Sequence, residues 1–270
     1  MMKAKMLIDG ATPKVPPDDL REVIQQSGIE VTNGKADFGI VVGGDGKFSK
    51  YGRSEEVPLL FVGVRSKGAT GSKAHLAQTT FDELPNALEQ IRRGEYSVDE
   101  QRRLGVLKNG RNIGEVFTDV YLQRGSEGDC IRYKVGVSGP GVSIEEAAIG
   151  DGVVVTTQAG STGYYSYPDR IKKDWMDPSA FATMTRDEVG ICHVTPTFTE
   201  RVGETRHPLR YTVPWGCTVE LSLFRHADAR LYGTTDRNSG VKVSLGDKVD
   251  IVPGKLVTRV IVLGRERLSP

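Results

Sequence analysis

Gly43-Gly44-Asp45-Gly46 sets one carboxylate among three glycines. Glycine reaches positive φ without steric cost, and backbone N–H groups can approach an anion with no Cβ in the way. A carboxylate there repels a phosphate if it acts alone. Beside a bound polyphosphate it is placed to take a proton from an attacking hydroxyl, or to help hold a metal. Asp45 is therefore the candidate catalytic acid–base residue, and Gly43, Gly44 and Gly46 are the candidate phosphate loop. Lys47 adds a point charge for a donor phosphate. The same residues also make an ordinary strand-ending turn whose aspartate bonds its own backbone, followed by a solvated lysine.

A second stretch weighs against the plain turn. Gly150-Asp151-Gly152 opens the apolar run Val153-Val154-Val155-Thr156-Thr157, which enters Gln158-Ala159-Gly160-Ser161-Thr162-Gly163-Tyr164. That strand-to-helix turn offers backbone donors and the hydroxyls of Ser161 and Thr162 to a ligand. Together the two stretches resemble the NAD kinase family, within the larger group of diacylglycerol kinases, sphingosine kinases and phosphofructokinases. The family pattern is a glycine-glycine-aspartate-glycine loop, an asparagine-glutamate pair, then a glycine-serine-threonine-alanine-tyrosine turn. The first and third stand here in order, and the likeness extends more weakly over most of the chain.

The elements that must position these residues are of two kinds. Met6-Leu7-Ile8, Phe38–Val42 and Leu59–Val64 read as short apolar strands, the first stopped by Asp9-Gly10. Between them, Pro17 with Leu20, Val23 and Ile24 predicts a short amphipathic helix, and Leu84, Leu88 and Ile91 share a face of another. Strands alternating with helices imply an open, Rossmann-like α/β sheet whose ligands sit beyond the carboxyl ends of the strands. From about residue 100 the pattern becomes strands at short intervals, such as Val116–Leu122, Cys130–Val135, Thr218–Phe224, Val241–Leu245 and Val249–Val252. Asn238-Ser239-Gly240 and Gly246-Asp247 mark turns between them. The expected fold is an α/β domain over 1–100 followed by a β-sandwich-like domain over 101–270. The resemblance implies the same layout, with a nucleotide cleft between the halves.

Length and composition allow this. The 270 residues can bury one large or two modest cores, and 36 Lys+Arg against 35 Asp+Glu suggest neither nucleic acid nor an anionic membrane as partner. Thirty-two glycines fit a turn-rich β protein. Cys130, Cys192 and Cys217 have no pairing or zinc spacing, and His75, His193, His207 and His226 are dispersed, each reading as a surface or satisfied core histidine. No apolar run reaches the length of a membrane span, so a soluble, cytoplasmic protein is expected.

The resemblance implies phosphoryl transfer from ATP to a hydroxyl of NAD, with magnesium on the donor phosphates and no protein ligands named for it. Asp45 takes the role of the family's loop aspartate. Glu115 accepts bonds from a substrate ribose, Asp151 contacts the acceptor's second sugar or amide, and Thr157, Ser161, Thr162 and Tyr164 line the acceptor turn. Two departures stand out. Gly114 replaces the asparagine of the central pair, with Asn112 expected on the same strand face roughly 6.6 Å away as a substitute. Tyr165-Ser166-Tyr167 replaces the family's small residues, narrowing the pocket or simply stacking in the core. They leave two further readings: a kinase for another small hydroxyl compound, such as a sugar or lipid head group, and a nucleotide-binding regulator without turnover. Restoring asparagine at 114 should lower the KM for NAD unless that glycine is needed for its backbone angle. The resemblance and the open strand edges also imply a homo-oligomer.

Overall fold

The computed structural model describes residues 1–8, 15–64, 74–125, 129–172, 183–202, 209–235 and 240–264, with backbone alone at 171 and 172. The turns expected at Asp9-Gly10 and Asn238-Ser239, and His207, lie outside the described residues. The chain divides into two compact units, Met1–Gln101 with the segment from Val257 on, and Arg102–Leu256.

The first unit runs β1 (Lys3–Leu7), α1 (Pro17–Gln26), β2 (Glu30–Val31), β3 (Phe38–Gly43), α2 (Asp45–Ser54), β4 (Leu59–Gly63), β5 (Thr79–Thr80) and α3 (Leu84–Arg92). Its sheet order is β2-β1-β3-β4, all parallel, and Val260 from the last strand pairs with Leu59. β3 and β4 are buried along their whole length, which is why they read as unbroken apolar runs. Leu20 and Ile24 of α1, and Leu84, Ala87, Leu88 and Ile91 of α3, are buried in the unit's core. Strand order reverses between β1 and β3. In open α/β sheets a ligand crevice lies at that switch point, beyond the carboxyl ends. Gly43 is the last residue of β3.

The second unit takes over within β6 (Tyr96–Lys108). It continues with β7 (Arg111–Val116), β8 (Asp119–Arg124), β9 (Ile131–Gly139), β10 (Val142–Gly150) and β11 (Gly152–Thr156). After two single 3₁₀ turns and α4 (Tyr167–Lys172) come β12 (Glu188–Val194), β13 (Phe198–Arg201), β14 (Arg210–Pro214), β15 (Thr218–Leu223), β16 (Ala229–Tyr232) and β17 (Val241–Val243). β18 (Lys248–Leu263) starts here and ends in the first unit. One sheet of this unit is β13-β10-β9-β15-β18, with β6 joined to β18 and to β7. The other is β14-β12-β11-β8-β16-β17. Both contribute to one apolar core, with Val135 and Leu221 from the first and Val153 and Ile191 from the second. The mixed α/β and β-rich fold expected from sequence is the fold observed.

Two differences have physical causes. β18 extends far beyond the expected Val249–Val252, because Pro253-Gly254 reads as a turn yet lies within the strand. β10 carries Glu145 and Glu146 where a strand signal requires apolar alternation, and Glu146 is buried all the same. No helix among the described residues is long and apolar enough to cross a membrane.

Candidate functional site

The glycine loop is shorter than a free turn, because Asp45 already begins α2. Gly44 caps the helix in extended geometry, and its carbonyl accepts from the N–H groups of Lys47 at 2.8 Å and Phe48 at 3.2 Å. Gly43 has φ of +155°, and a Cβ there would stand 3.0 Å from Lys47 Cγ. The lysine stem thus covers Gly43, which ties this glycine to the fold itself. Gly46 differs: it is exposed, with nothing within 4 Å of an added Cβ. Phe48 stacks on Phe61 at 4.6 Å between centroids and anchors α2 on β4. Asp45 is held from outside its own turn. Its carboxylate accepts from the backbone N–H of His75 at 3.1 Å and of Leu76 at 3.0 Å, which fixes its orientation from a separate segment.

In the second unit, Asp151 lies between β10 and β11. Its Oδ1 pairs with Arg124 Nε at 2.9 Å and its Oδ2 accepts from Thr195 Oγ1 at 2.7 Å. Ser161, Thr162 and Tyr164 follow on the 3₁₀ turns, each partly exposed. Tyr164 packs edge-on to Tyr121 and Tyr167, and burial followed by the Asp151 charge raises its phenol above the ordinary range. Thr157 does not line this turn. It is 3% exposed and donates its hydroxyl to the carbonyls of Phe117 and Thr118, so it closes the turn from inside. The tyrosine departures divide in the same way. Tyr165 is a core residue, 2% exposed, with an added Cβ on Gly190 only 2.6 Å from its ring. Tyr167 donates to the His193 carbonyl at 2.7 Å. Burial pushes both phenols up to about 12, so each stays a neutral donor at neutral pH.

The central pair departs from the sequence expectation. The register of β6 with β7 shifts between Val106 and Leu107: Val106 faces Gly114 while Leu107 faces Asn112. Ile113 is therefore the extra residue of a β-bulge, and strict alternation between 112 and 114 is lost. Asn112 turns its Oδ1 onto the Gly114 N–H at 2.8 Å instead of standing in for the missing side chain. Gly114 has φ of +136°, and a Cβ there would meet the Thr234 carbonyl at 3.2 Å. Glu115 accepts from the N–H groups of Lys255 at 2.8 Å and Leu256 at 3.0 Å, so its carboxylate also braces β18.

Sequence reasoning did not find the buried polar cluster of Tyr133, Glu146, His193, Arg201 and Tyr211. Its members come from five strands without local spacing, and the one available signal was a pair of glutamates inside a strand. His193 is fully buried with both ring nitrogens partnered, a satisfied core histidine. Cys192 and Cys217 are buried free thiols and Cys130 is half-buried. Burial raises the Cys192 thiol to about 12. Among the described residues no three His, Cys, Asp or Glu side chains converge as a metal site.

The fold of this chain is similar to that of solved NAD(H) kinases. Yeast NADH kinase, solved in complex with NADH, matches 98% of this chain and 84% of its own at a TM-score of 0.72 and 12% identity. An NAD kinase from Archaeoglobus fulgidus, solved in complex with ATP, matches 99% and 95% at 0.66 and 17% identity. In sequence, the NAD kinase of Geobacter sulfurreducens is 29% identical over 239 residues, covering 86% of this chain and 75% of that kinase. No family model matches the chain. In both sequence and fold the chain is similar to the NAD kinases.

Proposed function

We propose that the protein transfers the γ-phosphoryl group of MgATP to a hydroxyl of NAD, giving NADP. The observation that carries this is Asp45, held by two backbone N–H groups in the first turn of α2, directly after a glycine-ended parallel strand at the switch point of the sheet. In this reading the loop N–H groups and Lys47 engage donor phosphates, and the metal arrives on those phosphates as part of the substrate. Asp45 accepts the proton of the attacking ribose hydroxyl as the phosphoryl group moves. Asp151, Ser161, Thr162 and Tyr164 orient the acceptor, and Glu115 accepts from a ribose hydroxyl.

The departures that favoured another acceptor have local explanations. Gly114 answers to its backbone angle and Tyr165 to core packing against Gly190. Neither requires a different substrate. The test is purified protein with ATP and magnesium against a panel of hydroxyl acceptors, read by mass. NADP is the expected product; another phosphorylated product, or nucleotide binding without product, overturns the reading. A homo-oligomeric active form belongs to the same proposal, supported by the edge strand β13 with Phe198 49% exposed. Light scattering at 29.5 kDa with full activity would remove it.

A further inference from the structure

Inside the second unit, Glu146 gathers four donating atoms. Arg201 reaches Oε1 through Nε at 2.8 Å and through a terminal nitrogen at 2.6 Å. Tyr211 donates to Oε2 at 2.5 Å, and His193 Nε2 lies 3.1 Å from the same oxygen. Burial alone raises the Glu146 carboxyl, but the bonds from His193 and Tyr211, the His193 charge and Arg201 outweigh it and leave it below the usual range. On the other side of the ring, His193 Nδ1 stands 3.0 Å from the Tyr133 hydroxyl, which lies 2.5 Å from the Gly152 carbonyl. Tyr133 has one proton and two acceptor-type neighbours. With the shorter contact taken as its donation, Gly152 receives the proton and His193 Nδ1–H donates to the phenol oxygen.

Such a cluster is a poor means of gaining stability. Apolar residues of similar volume generally hold a core as well as a buried ion pair does, or better. What polar groups add is direction. Here the direction is toward the proposed acceptor turn, because two ends of the cluster, Tyr133 and His193, lead to backbone next to Asp151. Tyr133 grips Gly152, the next residue, whose added Cβ would run into the Leu122 carbonyl. His193 heads the segment that continues to Val194, whose carbonyl accepts from the Asp151 N–H at 3.0 Å, and to Thr195, whose hydroxyl holds the Asp151 carboxylate. Thr195 has φ of +43°, a strained value for a β-branched residue that persists only where the surroundings enforce it. The same segment is tied to the tyrosine turn through Tyr167, which donates to the His193 carbonyl and accepts from the Thr195 N–H at 3.3 Å.

We propose that Tyr133 and His193 are positioning residues for acceptor binding: they touch no substrate, and they set the Asp151 carboxylate and the tyrosine turn from behind through the backbone of Gly152 and of 193–195. The inference rests on the reading of Asp151 as an acceptor contact. Tyr133→Phe tests it with the smallest change, and His193→Gln serves where a second variant is needed. The KM for NAD should rise about 3- to 10-fold, the scale of one displaced hydrogen bond, with the KM for ATP and kcat each within about twofold. Amide exchange should accelerate at Asp151–Gly152 and Val194–Thr195 while the core strands β9 and β15 keep their protection. A lowered melting temperature with unchanged KM for NAD overturns the proposal, as does a parallel rise in both KM values. If wild-type protein makes no NADP, the proposed activity has failed. The exchange measurement then decides alone: unaltered protection at 151–152 and 194–195 overturns the positioning role.

Discussion

The glycine loop of the first unit and the proposed acceptor turn of the second are built from different materials. The loop is backbone: a strand end, a helix cap and three glycines within four residues, with a single carboxylate oriented by two N–H groups. The acceptor turn is side chain: Arg124 and Thr195 hold Asp151, Tyr133 holds Gly152, and Tyr167 holds His193, each across more than fifteen residues of sequence. A backbone site constrains the sequence at its own positions, as at Gly43, where φ of +155° and the Lys47 stem favour glycine. A side-chain site spreads its constraints over distant strands, where several residue types solve the same problem. One chain can therefore diverge far in its acceptor turn while keeping its loop.

The largest expected effect tests the loop. Asp45→Asn should lower kcat by about two orders of magnitude or more if the carboxylate is a general base. The change is not silent in the fold. An amide presents one oxygen and one donor to two N–H groups, so a bond to His75 or Leu76 is lost, at about 1 kcal/mol. Kinetics and melting must be measured together, and wild-type kcat in the variant means that Asp45 is structural.

Two glycines separate the demands of folding from those of a ligand. Gly152→Ala forces a Cβ onto the Leu122 carbonyl at φ of +147° and should cost about 2–4 kcal/mol of stability. Gly46→Ala meets nothing in the protein and replaces glycine within a helix, so it should stabilise by about 0.5–1 kcal/mol. If Gly46 is kept so that a phosphate can approach, the stabilised variant should bind ATP more weakly. Equal or tighter ATP binding would remove Gly46 from the proposed phosphate loop.

This contrast also explains what could be read in advance. Strands β3 and β4 and the amphipathic faces of α1 and α3 are local patterns and stand where the spacing placed them, whereas β1 lies at Lys3–Leu7 instead of Met6–Ile8 and the glycine loop passes at Asp45 into a helix that no pattern marked. Thr157, expected to line the acceptor turn, and Tyr165, expected to narrow a pocket or stack in the core, are both buried, because hydroxyls and rings serve a core and a pocket equally well. Asn112 was misplaced for a subtler reason: a one-residue bulge is invisible to alternation, yet it reverses which side chains share a face. The cluster around Glu146 joins five strands and has no sequence signature.

Gly114→Asn gives a smaller effect than sequence alone suggests. Restoring the family's side chain should have improved NAD binding. At φ of +136° the asparagine is strained and its Cβ presses on Thr234, so a loss of about 1–3 kcal/mol in stability is expected, with no gain in KM for NAD. A stable variant with several-fold lower KM would show that the bulge can relax around an adenine contact.

The smallest effect comes from a side-chain junction outside the acceptor turn. Asp247 pairs with Lys108 at 2.8 Å, and accepts from Asn109 at 2.7 Å and from the Ser244 N–H at 2.8 Å. The bond from Lys108, then those from Asn109 and Ser244, draw its carboxyl down to about 2. A carboxyl whose folded value lies below its unfolded one, about 3.9, stabilises the protein in its ionised form. That contribution is complete above the unfolded value and fades as pH falls through the folded one. Wild type and Asp247→Asn should therefore differ in urea midpoint at pH 7, and the gap should narrow from about pH 4 toward pH 2. Because this junction braces the turn before β18 and not the backbone beside Asp151, the KM for NAD should stay at the wild-type value. A shifted KM here would mean that any loosened junction in the second unit disturbs the acceptor turn, and the special place given to Tyr133 and His193 would be lost.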